Sequence, residues 1–549
     1  MPGAAPAAVP APRQSVPSGP VIQLHATTRV VEIDVTAEGA NGQPADNLKP
    51  SDFAVFDNGH PRPFTIFSFN PETAAATAPA LPALGPATPP GSFSNMGAAP
   101  RLEAQHSAVL LVDAFNGWFE NFDNARKAVV GALNKLPPDE RIALYVIDRY
   151  KGMQLLVDYT TDRARLRQAI THYTPGGTCP APPGEEAPGD ATRVIANTGP
   201  PRPEDAYWNS PDPAAEAKHY AQSFSHSPCQ GSPADRAGYA VMRDGAESVR
   251  LALVALASSL ESLPGRKSVF WITEGFPPDM LQNTYLCACA NEWKAAFDQL
   301  NDANVAVSTL DSNGIAGPPR LWGPGGVLVM QQVSATTGGQ TYYQDADLSA
   351  ALSRGIDSTR NSYTLGFYVP TLDGTYHTLK VAVDRPGVTL TYRRGYYDED
   401  DSQRAAANKT SDLSAALLNP AGETGVGITA WVKPQPAGRA LDGLEVIINL
   451  DPSTLTVQGD NHGGWLGQVD ELFVERNAAG LELGRESDSK SFQMTARERS
   501  QVERDGLNLQ RTLRLAPGVT QIEVVIRDHD SGRIGSLAVP LGAPSPAVK

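Results

Sequence analysis

The stretch "SAVLLVDAFNGWFEN", Ser107–Asn121, decides the fold: an apolar run stops at Asp113 and gives way to a loop. A short, continuous apolar segment bounded by a turn is the signature of a strand covered on both faces, as in a parallel sheet. The residues after it keep that grammar. "NFDNARKAVVGALNKL" spaces its apolar residues as an amphipathic helix, and "RIALYVI" and "MQLLVDYT" are two strands joined by "DRYKG". A hairpin inside an alternating pattern implies one antiparallel edge strand on an otherwise parallel sheet. "DRARLRQAITHY" supplies a second helix. Beyond a Pro- and acid-rich insertion at 179–235, a long helix over 237–263 ends at "PGRK". Strand "SVFWIT", helix "NEWKAAFDQLNDA", strand "NVAVSTL", the segment "GGQTYYQ" and helix "DLSAALSRGIDSTR" complete the series. Residues 106–360 are therefore expected to form a doubly wound, Rossmann-type α/β domain carrying the 179–235 insertion.

The flanks read differently. Residues 1–20 form a Pro/Ala-rich leader that no helix can use and that is expected to be disordered; no export signal is visible there, whether because it has been trimmed or because the protein stays inside. Residues 21–70 alternate as a small β domain, with Val31, Ile33 and Val35 on one face and turns at "NGQP" and "DNGHP". Residues 71–105 are an Ala/Pro linker, 361–400 a β extension, and 411–545 a second β-sandwich-like domain of strands separated by turns.

The chain has 549 residues and 41% hydrophobic content, enough for several cores. With 60 acidic residues against 45 Lys and Arg, its net charge of -15 repels a phosphate backbone, so nucleic acid is not an expected partner. No apolar segment reaches the roughly 20 residues a membrane-spanning helix needs. The four cysteines, Cys179, Cys229, Cys287 and Cys289, lie in one third of the chain in or beside loop-like segments. They are disulfide candidates for an oxidising compartment, with free thiols or a metal as the alternatives.

Four strands are followed at once by an acid: Asp113, Asp148, Glu274 and Asp311. In an open parallel sheet, ligands sit beyond the carboxyl ends of the strands at the topological switch point, which makes Asp113 and Glu274 candidates to share one cleft. Asp148 opens the edge hairpin and is expected to cap or be solvated. The plain reading of Asp113 is that its carboxylate caps backbone N–H groups of the following turn.

The order of strand, acid, helix, hairpin, helix, "GGT" loop, long helix and "PGRKSVFWITEGFP" resembles a von Willebrand factor type A (VWA) domain. More narrowly, "VVEIDVTAEGANGQPADNLKPSDFAVFDNGHP", "LNDANVAVSTLDSNG", "TGGQTYYQDADLSAALSRGIDSTRNSYTLGFYVP" and "LKVAVDRPGVTLTYRRGYY" resemble the VWA-related proteins abundant in Acidobacteria, over residues 22–398. The resemblance implies a metal-ion-dependent adhesion site. In such a site Mg²⁺ is held by Asp-x-Ser-x-Ser after the first strand, a later loop Thr and an Asp after the fourth strand. Here Asp113 and Thr178 match, Glu274 replaces the later Asp, and Phe115 and Gly117 stand where the two serines belong. The implied ligand set is thus a degenerate one of Asp113, Asn116, Thr178 and Glu274, holding Mg²⁺ or Ca²⁺ weakly, with no cofactor required.

Other motifs are bland. "DHDSG" at Asp528–Gly532 and "DNHGG" at Asp460–Gly464 read as polar turns, with a Ca²⁺ site as the alternative, and the histidines form no zincin pair. The expected function is a non-enzymatic, adhesion-type protein-binding module of an exported bacterial protein, secreted, periplasmic or on the envelope, using the strand-end face for an unidentified protein partner. The alternatives are a structural envelope scaffold, a metal-assisted hydrolase using Asp113 and Glu274, and a thiol redox protein using Cys287 and Cys289.

Overall fold

The structure, a computed structural model, describes residues 29–40, 43–70, 91–96, 107–116, 119–149, 151–176, 239–261, 263, 266–282, 289–314, 323–359, 361–369, 372–399, 401–433, 444–459 and 464–541. The leader 1–20, the insertion 179–235, most of the linker and residues 460–463 of the "DNHGG" turn lie outside them.

The central domain is a six-stranded sheet built from β1 (Ser107–Asp113), β2 (Ile142–Asp148), β3 (Gly152–Thr160), β4 (Lys267–Thr273), β5 (Val305–Asp311) and β6 (Thr341–Tyr342). The spatial order is β6-β5-β4-β1-β2-β3. Every neighbouring pair is parallel except β2 and β3, so the antiparallel strand sits on one edge. The chain crosses from one half of the sheet to the other between β1 and β4, which places the switch point there.

Among the described residues, six helices cover both faces: α1 (Phe119–Leu133), α2 (Arg163–His172), α3 (Tyr239–Glu261), α4 (Ala290–Asp302), α5 (Gly323–Thr337) and α6 (Leu348–Ser358). The alternation of side chains along β1 divides the core. Ala108, Leu110 and Val112 pack with Phe122, Val129, Leu352 and Ile356 on the face of α1, α2 and α6. Val109 and Leu111 pack with Leu253, Leu256, Trp293 and Val333 on the face of α3, α4 and α5. Burial on both faces is why these strands read as unbroken apolar runs.

Residues 29–70 and 362–397 fold together. Arg29–Glu38 lies between Ser362–Val369 and Thr389–Thr391, and Ile66–Asn70 extends that sheet on the far side of Ser362–Val369. Phe53–Asp57 pairs with Tyr376–Val383, flanked by His60–Pro61 and Gly395–Tyr397. The two four-stranded sheets share one core, in which Val31, Ile33 and Val35 meet Phe53, Tyr363, Leu365, Phe367 and Val381. The stretch expected as an extension over 361–400 thus supplies half of this domain. The chain leaves this domain after Asn70, gives Phe93–Ser94 to a sheet of the C-terminal domain, builds the α/β domain from Ser107 onward, and returns at Ser362, which is paired with Asn70.

Arg266 joins the two domains. Its guanidinium donates to the carbonyls of Asp34, at 3.1 Å, and Gly338, at 2.6 Å, while Asn304 donates to the Asp34 carboxylate. The "PGRK" that stops α3 therefore also carries a buried interdomain contact.

In the C-terminal domain, Ile428–Val432, Leu444–Leu450, Leu507–Leu513 and Phe93–Ser94 form one sheet, and Gln458–Gly459, Trp465–Arg476, Glu482–Met494, Gln521–Asp528 and Ile534–Pro540 form another. They share a core that includes Ile428, Ile448, Phe473, Val524 and Val539. Three expectations need correction. Phe93–Ser94, from within the Ala/Pro linker, pairs with Ile428–Val432. Asp401–Leu418 is a helix, running into the stretch expected as all β, because its Ala416 packs on Leu472, Val474, Val525 and Ile534. Ala496–Asp505 is also helical, started by a capping box of Thr495 and Glu498. The buried Arg527 guanidinium pins the longer helix by an ion pair to Asp412 at 2.7 Å.

Candidate functional site at the strand ends

Asp113, Asp148, Glu274 and Asp311 are all buried at the carboxyl end of the sheet. Asp113 closes β1 beside the switch point and is saturated by donors. Its Oδ1 accepts from the backbone N–H groups of Phe115 and Asn116, each at 3.0 Å, the capping geometry of an Asx turn. Its Oδ2 accepts from Thr273 Oγ1 at 2.8 Å, Asn116 Nδ2 at 3.0 Å and Trp271 Nε1 at 3.2 Å. Burial pushes this carboxyl up, against the lowering pull of the hydrogen bonds from Asn116, Thr273 and Phe115.

Glu274, one residue past β4, accepts a short hydrogen bond from Asn121 of α1, which also donates to Asn313 beyond β5 at 3.2 Å. Asp311 accepts the N–H of Asn313 at 3.1 Å. Asp113 is thus tied to β4 through Trp271 and Thr273, and Glu274 to α1 through Asn121. Asp148 is buried rather than solvated: it accepts from the backbone of Lys151 and Gly176 and from the Tyr173 hydroxyl at 2.8 Å. Burial, and then that bond, push the Tyr173 hydroxyl up.

Asn116 and Phe115 lie against α3. A methyl group added at Gly245 would stand 2.1 Å from Asn116 Oδ1 and 3.0 Å from Phe115 Cδ1, so the lack of a side chain there lets the helix close over the loop. On the other side, Gly275 takes a left-handed φ of +76°, and its Cα hydrogen faces the carbonyl of Gly326 in α5. The Asp113 pocket is therefore packed shut by α3 and cross-linked to β4.

A hard cation needs oxygen ligands around it. The indole N–H of Trp271 and the two backbone N–H groups are donors only, so the sides of the Asp113 carboxylate that they occupy cannot face a cation. Phe115 packs against the core on the side of α3, where a ligating hydroxyl would be needed. As arranged, Asp113 and Asn116 do not fit Mg²⁺ or Ca²⁺. Thr178, Cys179, Cys229 and Cys287 lie outside the described residues. Cys289, which caps α4, is disulfide-bonded.

Trp271, Thr273 and Asn121 are the site residues that sequence reasoning misses. The first two look like ordinary members of a buried strand, and Asn121 like a polar helix position.

No family model and no curated protein matches the chain. Among solved structures, it is similar to an aerotolerance-related membrane protein of Bacteroides fragilis, at 11% identity and a TM-score of 0.26 over 46% of this chain and 100% of that one. It is also similar to a von Willebrand factor type A protein of Catenulispora acidiphila, at 10% identity and a TM-score of 0.24 over 65% and 80%. A third likeness is to the pilus adhesin SpaC of Lactobacillus rhamnosus GG, at 10% identity and a TM-score of 0.26 over 74% and 53%. By its strand order and its antiparallel edge strand, the central domain has a VWA-like fold. Among the described residues, no helix is long and apolar enough to cross a membrane.

Proposed function

We propose that this chain is a non-enzymatic, adhesion-type module of an exported protein that binds a protein partner through the strand-end face of its VWA-like domain without a metal ion. The observation that carries the reading is the saturation of Asp113 by N–H and O–H donors on both oxygens. A carboxylate so engaged is unavailable as a general base or as a cation ligand, which argues against a hydrolase built on Asp113 and Glu274. The rim of the same face offers apolar anchors instead. Tyr343 follows the residue paired with Leu310, at the level of Asp311, and is 44% exposed. Leu328, two residues past the Gly326 carbonyl that meets Gly275, is 58% exposed. Tyrosine is among the residues enriched as anchors of protein interfaces, and Leu328 adds exposed apolar area. The β domains on either side act as spacers.

The test is capture of envelope proteins from the source organism on the immobilised full chain, in EDTA and in Mg²⁺, beside a Leu328→Asp/Tyr343→Ser variant. Equal capture in both buffers, lost in the variant, is the expected result. Capture that needs Mg²⁺ sinks the metal-free mechanism, and capture unchanged in the variant moves the function to a structural scaffold that uses other surfaces.

A further inference from the structure

A second cluster lies in the β domain, remote from the strand-end face in sequence. Asp373, His377 and Asp398 each place one potential ligand atom within 4.8 Å of the others. Strand pairing assembles them: His377 sits opposite Tyr396, Asp373 is in the turn before Tyr376–Val383, and Asp398 directly follows Gly395–Tyr397. The turn is locked by its backbone. The N–H of Gly374 donates to the Asp398 carbonyl at 2.9 Å, that of Asp398 to the Thr375 carbonyl at 3.0 Å, and that of Asp373 to Asp398 Oδ2 at 3.2 Å. Asp373 Oδ1 accepts from the backbone N–H and the hydroxyl of Thr375, both at 2.8 Å, which leaves Oδ2 3.1 Å from His377 Nε2.

Behind the imidazole stands a support. His377 Nδ1 is 2.7 Å from Asp57 Oδ1, and the other oxygen of Asp57 accepts from the Tyr396 hydroxyl at 3.2 Å. A histidine that ligates a metal characteristically donates its other N–H to a carboxylate, which fixes the tautomer and orients the ring. With Nδ1–H given to Asp57, Nε2 and Asp373 Oδ2 face each other as two acceptors, and something positive must lie between them. A proton on Nε2 would satisfy that pair alone. It does nothing for Asp398, which is 1% exposed and whose Oδ1 has no hydrogen-bond partner. A buried carboxylate oxygen left unpaired is costly, and a cation shared by all three groups compensates it.

We propose that Asp373, His377 and Asp398 bind a first-row divalent cation of the Zn²⁺ class, with water completing the shell on the side of Asp373, whose side chain is 52% exposed. One imidazole nitrogen with two carboxylates suits Zn²⁺ better than Mg²⁺ or Ca²⁺, which prefer all-oxygen shells. Tetrahedral Zn²⁺ sets its ligand atoms about 3.4 Å apart, close to the present spacing of His377 and Asp373. Because Asp57 belongs to the N-terminal segment and the three ligands to the C-terminal one, the ion would brace the two halves of the β domain against each other.

The test is calorimetric titration of the EDTA-stripped, dialysed full chain with ZnCl₂, with visible absorption of the CoCl₂ complex as a second readout. One equivalent of Zn²⁺ is expected to bind and to raise the melting temperature, and millimolar Mg²⁺ is expected not to compete. Affinity should fall at least tenfold in His377→Gln and in Asp398→Asn. Absence of a single-equivalent site, or folded variants that bind like the wild type, overturns the proposal. Should either of these substitutions fail to fold, Asp373→Asn, at the exposed ligand, decides: unchanged affinity refutes the site and a tenfold loss supports it.

Discussion

Replacing Asp113 by alanine tests the strand-end site most directly, because the metal-free and metal-bound readings predict different dependences. The carboxylate satisfies the Trp271 indole N–H, the Thr273 hydroxyl, the Asn116 amide and the backbone N–H groups of Phe115 and Asn116. Some of these find substitutes. Asn116 Nδ2 already shares the carbonyl of Gly245, the Thr273 hydroxyl can rotate, and Phe115 is only half-buried. The Trp271 N–H and the Asn116 N–H, on fully buried residues, are stranded. At about 1–3 kcal/mol for each unsatisfied buried donor, the loss is ~2–6 kcal/mol. Release of a carboxyl that burial already strains pulls the net toward about 3 kcal/mol. For a domain of this size that corresponds to roughly 6–12 °C in melting temperature. Scanning calorimetry, with indole fluorescence to identify the transition, should give the same loss in EDTA and in millimolar Mg²⁺. Asp113→Asn, which keeps one acceptor, should fall between. A loss below about 1 kcal/mol, or a wild-type midpoint that rises with Mg²⁺ and stops doing so in the variant, would refute the reasoning.

Two other substitutions have definite expected outcomes. Gly275→Ala forces a side chain into a left-handed conformation and sets its Cβ 2.3 Å from the Gly326 carbonyl, so thermal melts should show at least ~2 kcal/mol of destabilisation; a change of a few tenths would mean that α5 yields. Burial pushes the Glu423 carboxyl up to about 8, against hydrogen bonds from Asn419 and Ser258 that lower it. Its folded-state value is raised above the unfolded one, so the folded state holds the extra proton and stability is fully present below the ordinary value of 4.5 and drains away as pH rises to about 8. Urea midpoints measured between pH 5 and 8 should fall more steeply for the wild type than for Glu423→Gln, and parallel slopes would rule this out.

The α/β domain is legible in the sequence because each of its strands is buried on both faces and each helix on one, which leaves unbroken apolar runs and helical periods. The position of Asp113 at a strand end comes from the same pattern, and so does its turn-capping role. Features that depend on pairing between distant segments are not legible. Nothing local marks Asn70 as the partner of Ser362, or Phe93–Ser94 as a strand of the C-terminal sheet. In "SVFWIT", Trp271 and Thr273 look like any other interior residues, since their bonds to Asp113 arise only once β4 lies beside β1. Asp373, His377 and Asp398 have no recognisable spacing because a hairpin register, not a motif, brings them together. Asp401–Leu418 does not stand out because its small residues match neither a strongly amphipathic helix nor a strand until the C-terminal sheet covers them.

The insertion of one domain inside another governs how the molecule bears tension. A pull applied at Arg29 and Tyr397 travels through the ladders of the β domain, because Asn70 and Ser362 are clasped side by side where the chain departs toward Phe93–Ser94 and the α/β domain and where it comes back. The load path bypasses the central sheet, and the strand-end face keeps its shape until those ladders shear. A partner held there would be gripped by an unstretched surface, with the β domain serving as the yielding link.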